Sequence, residues 1–146
     1  MQVLSGITDV AHVIQLAVAP VFLLTGVGAI LSVLVNRLGR VVDRFRVLEQ
    51  SLPAVKELAL ASVQIEMANL TQRARMIHWA IGLCTGCALL VCLVIATLFV
   101  GSITNVEMPA VIAIQFILAM LALVAGLVFF LREIALAKGS IHVIPR

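Results

Sequence analysis

Residues 76–106 read MIHWAIGLCTGCALLVCLVIATLFVGSITNV, a run of 31 residues that contains no Asp, Glu, Lys or Arg. Two further runs share this property, with 27 residues at Val10–Asn36 and 24 residues at Met108–Leu131. A helix needs roughly 20 predominantly apolar residues to cross a bilayer, so each run is long enough to cross it once. We therefore predict an all-α protein with three transmembrane helices.

The composition of the whole chain excludes an ordinary soluble protein. Of its 146 residues, 63% are hydrophobic and only 12% are charged, whereas a soluble domain is about a quarter charged. The sequence contains no Gly-rich phosphate loop and no Ser–His–carboxylate set, and no carboxylate lies in the middle of a predicted span. We therefore expect a protein that is not an enzyme and that holds neither a cofactor nor a metal ion.

The chain is expected to form a single integral membrane domain over residues 1–146, with spans at about 10–36, 76–101 and 108–132. The only sizeable region outside the membrane is 37–75, where apolar residues recur at three- and four-residue steps on either side of Pro53. Because proline suits the start of a helix but not its interior, the pattern predicts two helices that meet near this residue. We expect an antiparallel helical hairpin whose arms continue the first and second spans.

The positive charges are confined to two stretches of the chain. Seven lie between the first and second runs and three follow the third run: Arg37, Arg40, Arg44, Arg46, Lys56, Arg73 and Arg75, then Arg132, Lys138 and Arg146. Basic residues in short loops mark the cytoplasmic side, so we predict a cytoplasmic hairpin, an outside N-terminus and a cytoplasmic C-terminus. The same charges are expected to contact anionic lipid headgroups. No soluble basic face with interleaved aromatic residues is present, so nucleic-acid binding is not expected.

Three short segments carry a resemblance to a known family, and they follow a first run that contains Gln15, Pro20 and the sequence VFLL at residues 21–24. Residues 36–44 read NRLGRVVDR, residues 73–77 read RARMI where the second run begins, and residues 129–133 read FFLRE where the third run ends. In this order they resemble the bacterial membrane-protein family named "domain of unknown function twenty-seven twenty-one", over roughly residues 8–138. The resemblance implies a three-span protein of the bacterial inner membrane, and it implies no established activity or catalytic residues.

Arg37, Arg40 and Arg44 follow one another at helical spacing where the first helix is predicted to leave the membrane. One interpretation is an interfacial anchor, in which Asp43 pairs with Arg40 or Arg46 along the helix. A second is a basic ring around the inner mouth of a pore. A third is a specific site for an anionic lipid or a nucleotide.

A weakly polar face follows the first span, made of eight residues at three- and four-residue steps: His12, Gln15, Ala19, Phe22, Gly26, Ala29, Val33 and Asn36. Polar side chains in a bilayer face protein or water, because lipid leaves their hydrogen bonds unmet. We favour a homo-oligomeric pore or ion channel lined by this face, with Phe22 and Val33 as apolar constrictions. The alternative is a non-conducting accessory or scaffold subunit that binds protein partners of unknown identity through the hairpin.

Small residues four positions apart occur in all three spans, as Gly28 and Ser32, Gly82 and Gly86, and Ala122 and Gly126. Such pairs allow helix backbones to approach closely, so we predict helix packing at these positions. Cys84 and Cys87 form a C-x-x-C spacing, which indicates redox chemistry in some cytosolic proteins. Because both lie inside a predicted span, where a thiolate is unfavourable, we interpret them as small packing residues.

Overall fold

The computed structural model of the chain describes residues 2–54, 57–104 and 108–139, and three long helices make up almost all of them. Helix α1 is Gln2–Ser51, helix α2 is Glu57–Thr104 and helix α3 is Pro109–Gly139. A 3-10 turn at Leu52–Ala54 follows α1. The residues that the structure describes contain no strand, which confirms the all-α prediction.

All three helices are long and apolar enough to cross a membrane, over Ala11–Ser51, Ala59–Thr104 and Pro109–Ala137. Most side chains in their most apolar stretches are not buried within the chain, and large ones such as Leu121 are exposed. An apolar surface of this extent suits lipid rather than water, so the architecture is that of a multi-pass membrane protein. Which side of the membrane each end occupies stays a prediction. Lys56 and Arg146, two of the charges behind it, lie outside the described residues.

The break between the two arms of the hairpin lies where the sequence predicts it. Helix α1 ends at Ser51, whose Oγ donates a hydrogen bond of 2.7 Å to the carbonyl oxygen of Leu48, and Pro53 lies in the turn that follows. Proline has no N–H and its ring clashes inside a helix, so the helix ends before it. As predicted, α1 and α2 each continue without a helix break from an apolar run into an arm. Pro20 lies inside α1 and does not end it.

The chain forms two compact units. The apolar unit comprises the described residues of Met1–Leu31 and Leu83–Val124, and the hairpin unit comprises those of Ser32–Gly82 and Ala125–Arg146. In the apolar unit α2 buries residues that are three or four positions apart, and α1 and α3 supply the rest of the core: Cys84, Cys87, Val91 and Val94, with Ala17, Val27, Ala119 and Leu123. This spacing is typical of helices packed side by side.

The hairpin unit repeats the same spacing in a different set of residues. Helix α1 buries Leu34, Val41 and Leu48, which are each seven positions apart, and α2 buries Leu70 and Ile77 at the same interval. A seven-residue repeat keeps one face of a helix against its neighbour over several turns. The two arms of the hairpin therefore pack along their length, and α3 packs with them in this unit.

Candidate functional site

Glu133 is the buried charged residue of the described chain, with none of its surface exposed. It lies on α3 seven residues after Gly126, which is also buried. This spacing of seven residues places Glu133 on the same packed face of the helix as Gly126, where an apolar side chain is expected. A carboxylate at such a position costs free energy unless cations and hydrogen-bond donors compensate for the lost water.

Two arginines from the hairpin supply that compensation. Arg37 Nη1, on α1, donates to Glu133 Oε2 at 2.7 Å. Arg73, on α2, donates to Glu133 Oε1 from Nη2 at 2.9 Å and from Nε at 3.2 Å. Both carboxylate oxygens are thus engaged, one by each arm. Among the described residues, no buried side-chain nitrogen or oxygen lacks a hydrogen-bond partner.

The three side chains, which we call the Arg–Glu–Arg triad, join all three helices within the hairpin unit. The Arg37 guanidinium carbon also lies 5.2 Å from the centroid of the Phe130 ring, within the range of a cation–π contact. The side chains of Arg37 and Arg73 remain 39% and 25% exposed, so only the carboxylate is fully withdrawn from solvent. Desolvation offsets much of the attraction in a buried ion pair, whereas removing one partner is strongly destabilising. The intact triad therefore contributes less to net stability than the loss of one of its members would cost.

A second ion pair joins the two arms farther along the hairpin. Arg44 donates to Glu66 Oε1 from Nε at 3.0 Å and from Nη2 at 2.9 Å. Because 55% of Arg44 and 43% of Glu66 are exposed, this pair contributes only about 0–1 kcal/mol. The two arms run antiparallel, since Arg37 lies near Arg73 through Glu133 while the later Arg44 reaches the earlier Glu66.

The predicted pairing of Asp43 is wrong. In the part of the chain that the structure describes, Asp43 forms no ion pair with Arg40 or Arg46. All three side chains are exposed, and a pair along a helix surface stabilises a helix by only a few tenths of a kcal/mol. The ion pairs in this region form between helices.

A cavity of about 350 Å³ adjoins the triad. The lining combines charged and apolar side chains from all three helices of the hairpin unit: Arg37, Arg40, Val41, Arg44, Leu70, Arg73, Glu133 and Ala137. It carries four guanidinium groups against one carboxylate. The three arginines singled out in the sequence, Arg37, Arg40 and Arg44, thus face a common space.

The eight residues predicted to line a pore all have exposed side chains in the single chain. Phe22 is 73% exposed and Val33 is 49% exposed. The core of α1 instead uses another set of positions, which includes Val27 and Leu34. The predicted face is therefore open to lipid, water or another chain, and its role stays a prediction.

The small residues differ in how far they are buried. Gly28, Ser32 and Gly82 are exposed, Gly86 and Ala122 are partly buried, and Gly126 is buried. A Cβ atom added to Gly28, Gly82 or Gly86 would meet no atom within 4 Å, so these glycines do not bring backbones close together within the described chain. Helix packing at these positions stays a prediction. Cys84 and Cys87 are wholly buried free thiols, which supports their interpretation as packing residues.

The apolar unit contains one polar contact between helices that the sequence analysis did not anticipate. Thr97 Oγ1, on α2, donates to the Leu93 carbonyl oxygen at 2.8 Å and lies 3.2 Å from the side-chain amide of Gln115, on α3. Such contacts satisfy polar groups within a bilayer. No group of three or more His, Cys, Asp or Glu residues within the described ranges is placed to hold a metal ion.

Sequence reasoning also missed Glu66, Arg73 and Glu133 as members of a site. Arg73 is named there only as one of the positive charges, and Glu133 is present only as a letter in a segment that carries the family resemblance. The signal that could have identified Glu133 is the series Ala119, Gly126 and Glu133, in which a carboxylate occupies the third step of a seven-residue repeat. Each of the three quoted segments contributes one residue to the triad.

A family model described as "Protein of unknown function (DUF2721)" matches residues 17–143, which include the triad and most of all three helices. Neither the curated proteins nor the solved structures gave a match to the chain.

Proposed function

Because the chain belongs to the DUF2721 family, whose activity is unknown, we propose its function from its geometry. The protein is a non-catalytic membrane scaffold that assembles from several copies and holds its helical hairpin in a fixed arrangement at the cytoplasmic surface. The observation that carries this proposal is the Arg–Glu–Arg triad, in which Glu133 binds one arginine from each arm.

The triad supports a fixed arrangement because its hydrogen bonds are directional. Apolar burial is non-directional, whereas Glu133 loses both partners if α3 turns or shifts by one residue, since neighbouring residues point about 100° apart on a helix. Buried ionic groups are costly. Such a contact suits a scaffold, because the triad keeps the hairpin in one position relative to α3.

The charge distribution supports the cytoplasmic placement of the hairpin. Of ten Lys and Arg residues, seven lie between the first and second apolar runs and three follow the third, with none on the opposite side. This asymmetry is the usual signal for the cytoplasmic face. Placement in a bacterial inner membrane agrees with the same signal.

The open face of α1 supports assembly from several copies. His12, Gln15 and Asn36 are exposed in the single chain, and polar side chains at the membrane avoid lipid where protein or water is available. A neighbouring copy would cover this face and satisfy those groups.

A distance measurement tests the scaffold role. Spin labels at Val47 on α1 and Leu136 on α3, both exposed positions of the hairpin unit, are attached in a protein whose three cysteines are replaced by alanine. We expect a narrow distance distribution that broadens in Glu133→Gln and stays narrow in Glu49→Gln, an exposed carboxylate outside the triad. A broad distribution in the parent protein, or a monomeric particle in detergent, would contradict the proposal.

A pore is the second candidate, and one specific observation favours it. The eight residues predicted to line a path are all exposed on the single chain, with the polar His12 and Gln15 toward one end and Asn36 toward the other. Conduction along this face requires several copies around a common axis, because three helices cannot enclose a water-filled space. This candidate adds conduction to the proposed assembly.

A further inference from the structure

The cavity beside the Arg–Glu–Arg triad has the charge and size of a ligand site. We propose that it binds a phosphate group, presented either by the headgroup of an anionic phospholipid or by a soluble phosphorylated compound. The proposal goes beyond the scaffold role and does not depend on it, because it rests only on the lining of this cavity.

The charge balance of the lining calls for an anion. Glu133 is shared by Arg37 and Arg73, and Arg44 is paired with Glu66. Arg40 also lines the cavity, and it forms no ion pair with any carboxylate of the described chain. The cavity therefore contains one guanidinium group without a counter-charge, next to two that share a single carboxylate.

The triad prepares the arginines for a ligand. Each guanidinium has five N–H donors, and Glu133 accepts one from Arg37 and two from Arg73. The other N–H groups of Arg37 and Arg73 form no hydrogen bond within the described residues. Arginine forms strong, often bidentate hydrogen bonds with phosphate oxygens. Because Glu133 already orients both side chains, less conformational entropy is lost on binding.

The dimensions of the cavity agree with a small polar group. Its volume of about 350 Å³ lies at the lower end of the range of roughly 300–1,000 Å³ for small-molecule pockets. Val41, Leu70 and Ala137 add an apolar wall beside the arginines. A phosphate ester with a short carbon portion would contact both parts of the lining.

The position of the cavity along the chain favours a lipid as the source of the phosphate. Arg37 directly follows the first apolar run, Arg73 precedes the second by three residues and Glu133 follows the third by two. The lining therefore lies where the helices reach the level of the headgroups. Basic pockets between membrane helices bind anionic headgroups in this way.

Native mass spectrometry of the detergent-solubilised full chain tests the proposal. The protein is titrated separately with phosphatidylglycerol, with phosphatidylcholine and with inorganic phosphate. The variants are Arg40→Gln, which removes a lining charge, and Arg46→Gln, a matched loss of charge from an exposed residue of the same arm that does not line the cavity. Thermal unfolding of both variants shows whether the fold is retained.

We expect one molecule of phosphatidylglycerol to bind per chain, with affinity lowered about tenfold by Arg40→Gln because a charge-assisted contact is lost. Arg46→Gln should not lower the affinity for phosphatidylglycerol to a comparable extent. Phosphatidylcholine should not bind comparably to the parent protein. Saturable binding of inorganic phosphate that is equally sensitive to Arg40→Gln would identify a soluble ligand as the source. Equal effects of the two variants, or no saturable binding of either anion, would overturn the proposal.

Discussion

Arg37 and Glu133 lie 96 positions apart in the sequence, and Arg37 Nη1 donates to Glu133 Oε2 at 2.7 Å. Arg73 binds the other oxygen of the same carboxylate. Glu133, near the end of α3, thereby binds both arms of the hairpin that α1 and α2 form. Since each of the three lies within three residues of an apolar run, the contact fixes the helices where they leave the predicted membrane.

Loss of the buried carboxylate should destabilise the protein. Glu133→Gln leaves Arg37 and Arg73 close together without a counter-charge, so the free energy of unfolding should fall by about 2–3 kcal/mol, less than for a fully buried pair because both arginines keep some exposure. Glu49→Gln, at an exposed carboxylate outside the triad, should change it by less than about 0.5 kcal/mol. Denaturant titration in micelles measures both values, and equal effects would contradict a structural role for Glu133.

Two positions on one helix should respond differently to added bulk. Ala80 is fully buried, so Ala80→Leu should lower the free energy of unfolding by about 1–3 kcal/mol through overpacking. Gly82 is exposed and has open space around it, so Gly82→Leu should leave this free energy unchanged or raise it. If copies pack at Gly82, the same variant should reduce the particle mass measured by light scattering. Destabilisation by Gly82→Leu equal to that by Ala80→Leu would place a close helix contact at Gly82 within the chain.

The predicted orientation can be measured by labelling single cysteines at Ala54 and Ser102 in a protein without its native cysteines. The two labels should be reached from opposite sides of the membrane, with Ala54 on the cytoplasmic side, because all ten Lys and Arg residues follow the first or the third apolar run. Replacing Arg37, Arg40 and Arg44 by glutamine should produce a mixed orientation. Reaction of both positions from the outer side would show that the hairpin is not cytoplasmic.

The pore candidate makes a prediction of its own. If α1 lines a conducting path between copies, Phe22→Ala and Val33→Ser should each increase the current through protein reconstituted in a planar bilayer, because both remove an apolar constriction. Ile117→Ala, at an exposed apolar position of α3, serves as the control and should not. Silence from all of these proteins, with oligomers verified in the bilayer, would leave the scaffold role alone.

The fold could be predicted from the sequence because its causes are local. Three charge-free runs set the helices, and Pro53 ends the first arm through the chemistry of its own ring. The apolar residues that recur at three- and four-residue steps before Pro53 include Val41 and Leu48, and both are buried in the α1 arm. Each of these signals lies within a few turns of the structure that it determines.

The site could be predicted only in part, because its contacts join distant segments. Arg37, Arg40 and Arg44 stand out as a stripe on one helix, and all three line one cavity in the structure. Their partners, Glu66 and Glu133, are far away in sequence, and helical periodicity does not report which helices meet. Asp43 shows that closeness in sequence does not ensure an ion pair either, because it forms none with Arg40 or Arg46 on the same helix.

A double-mutant cycle on Glu133 and Arg73 tests the triad most directly. The free energy of unfolding is measured for the parent protein, Glu133→Gln, Arg73→Gln and the double variant. In a control cycle, Arg75→Gln replaces Arg73→Gln, because Arg75 is a nearby exposed arginine. We expect a coupling of about 1–3 kcal/mol between Glu133 and Arg73, as for residues in one ion-pair network, and none between Glu133 and Arg75. Additive effects of Glu133→Gln and Arg73→Gln, within about 0.3–0.5 kcal/mol, would contradict it.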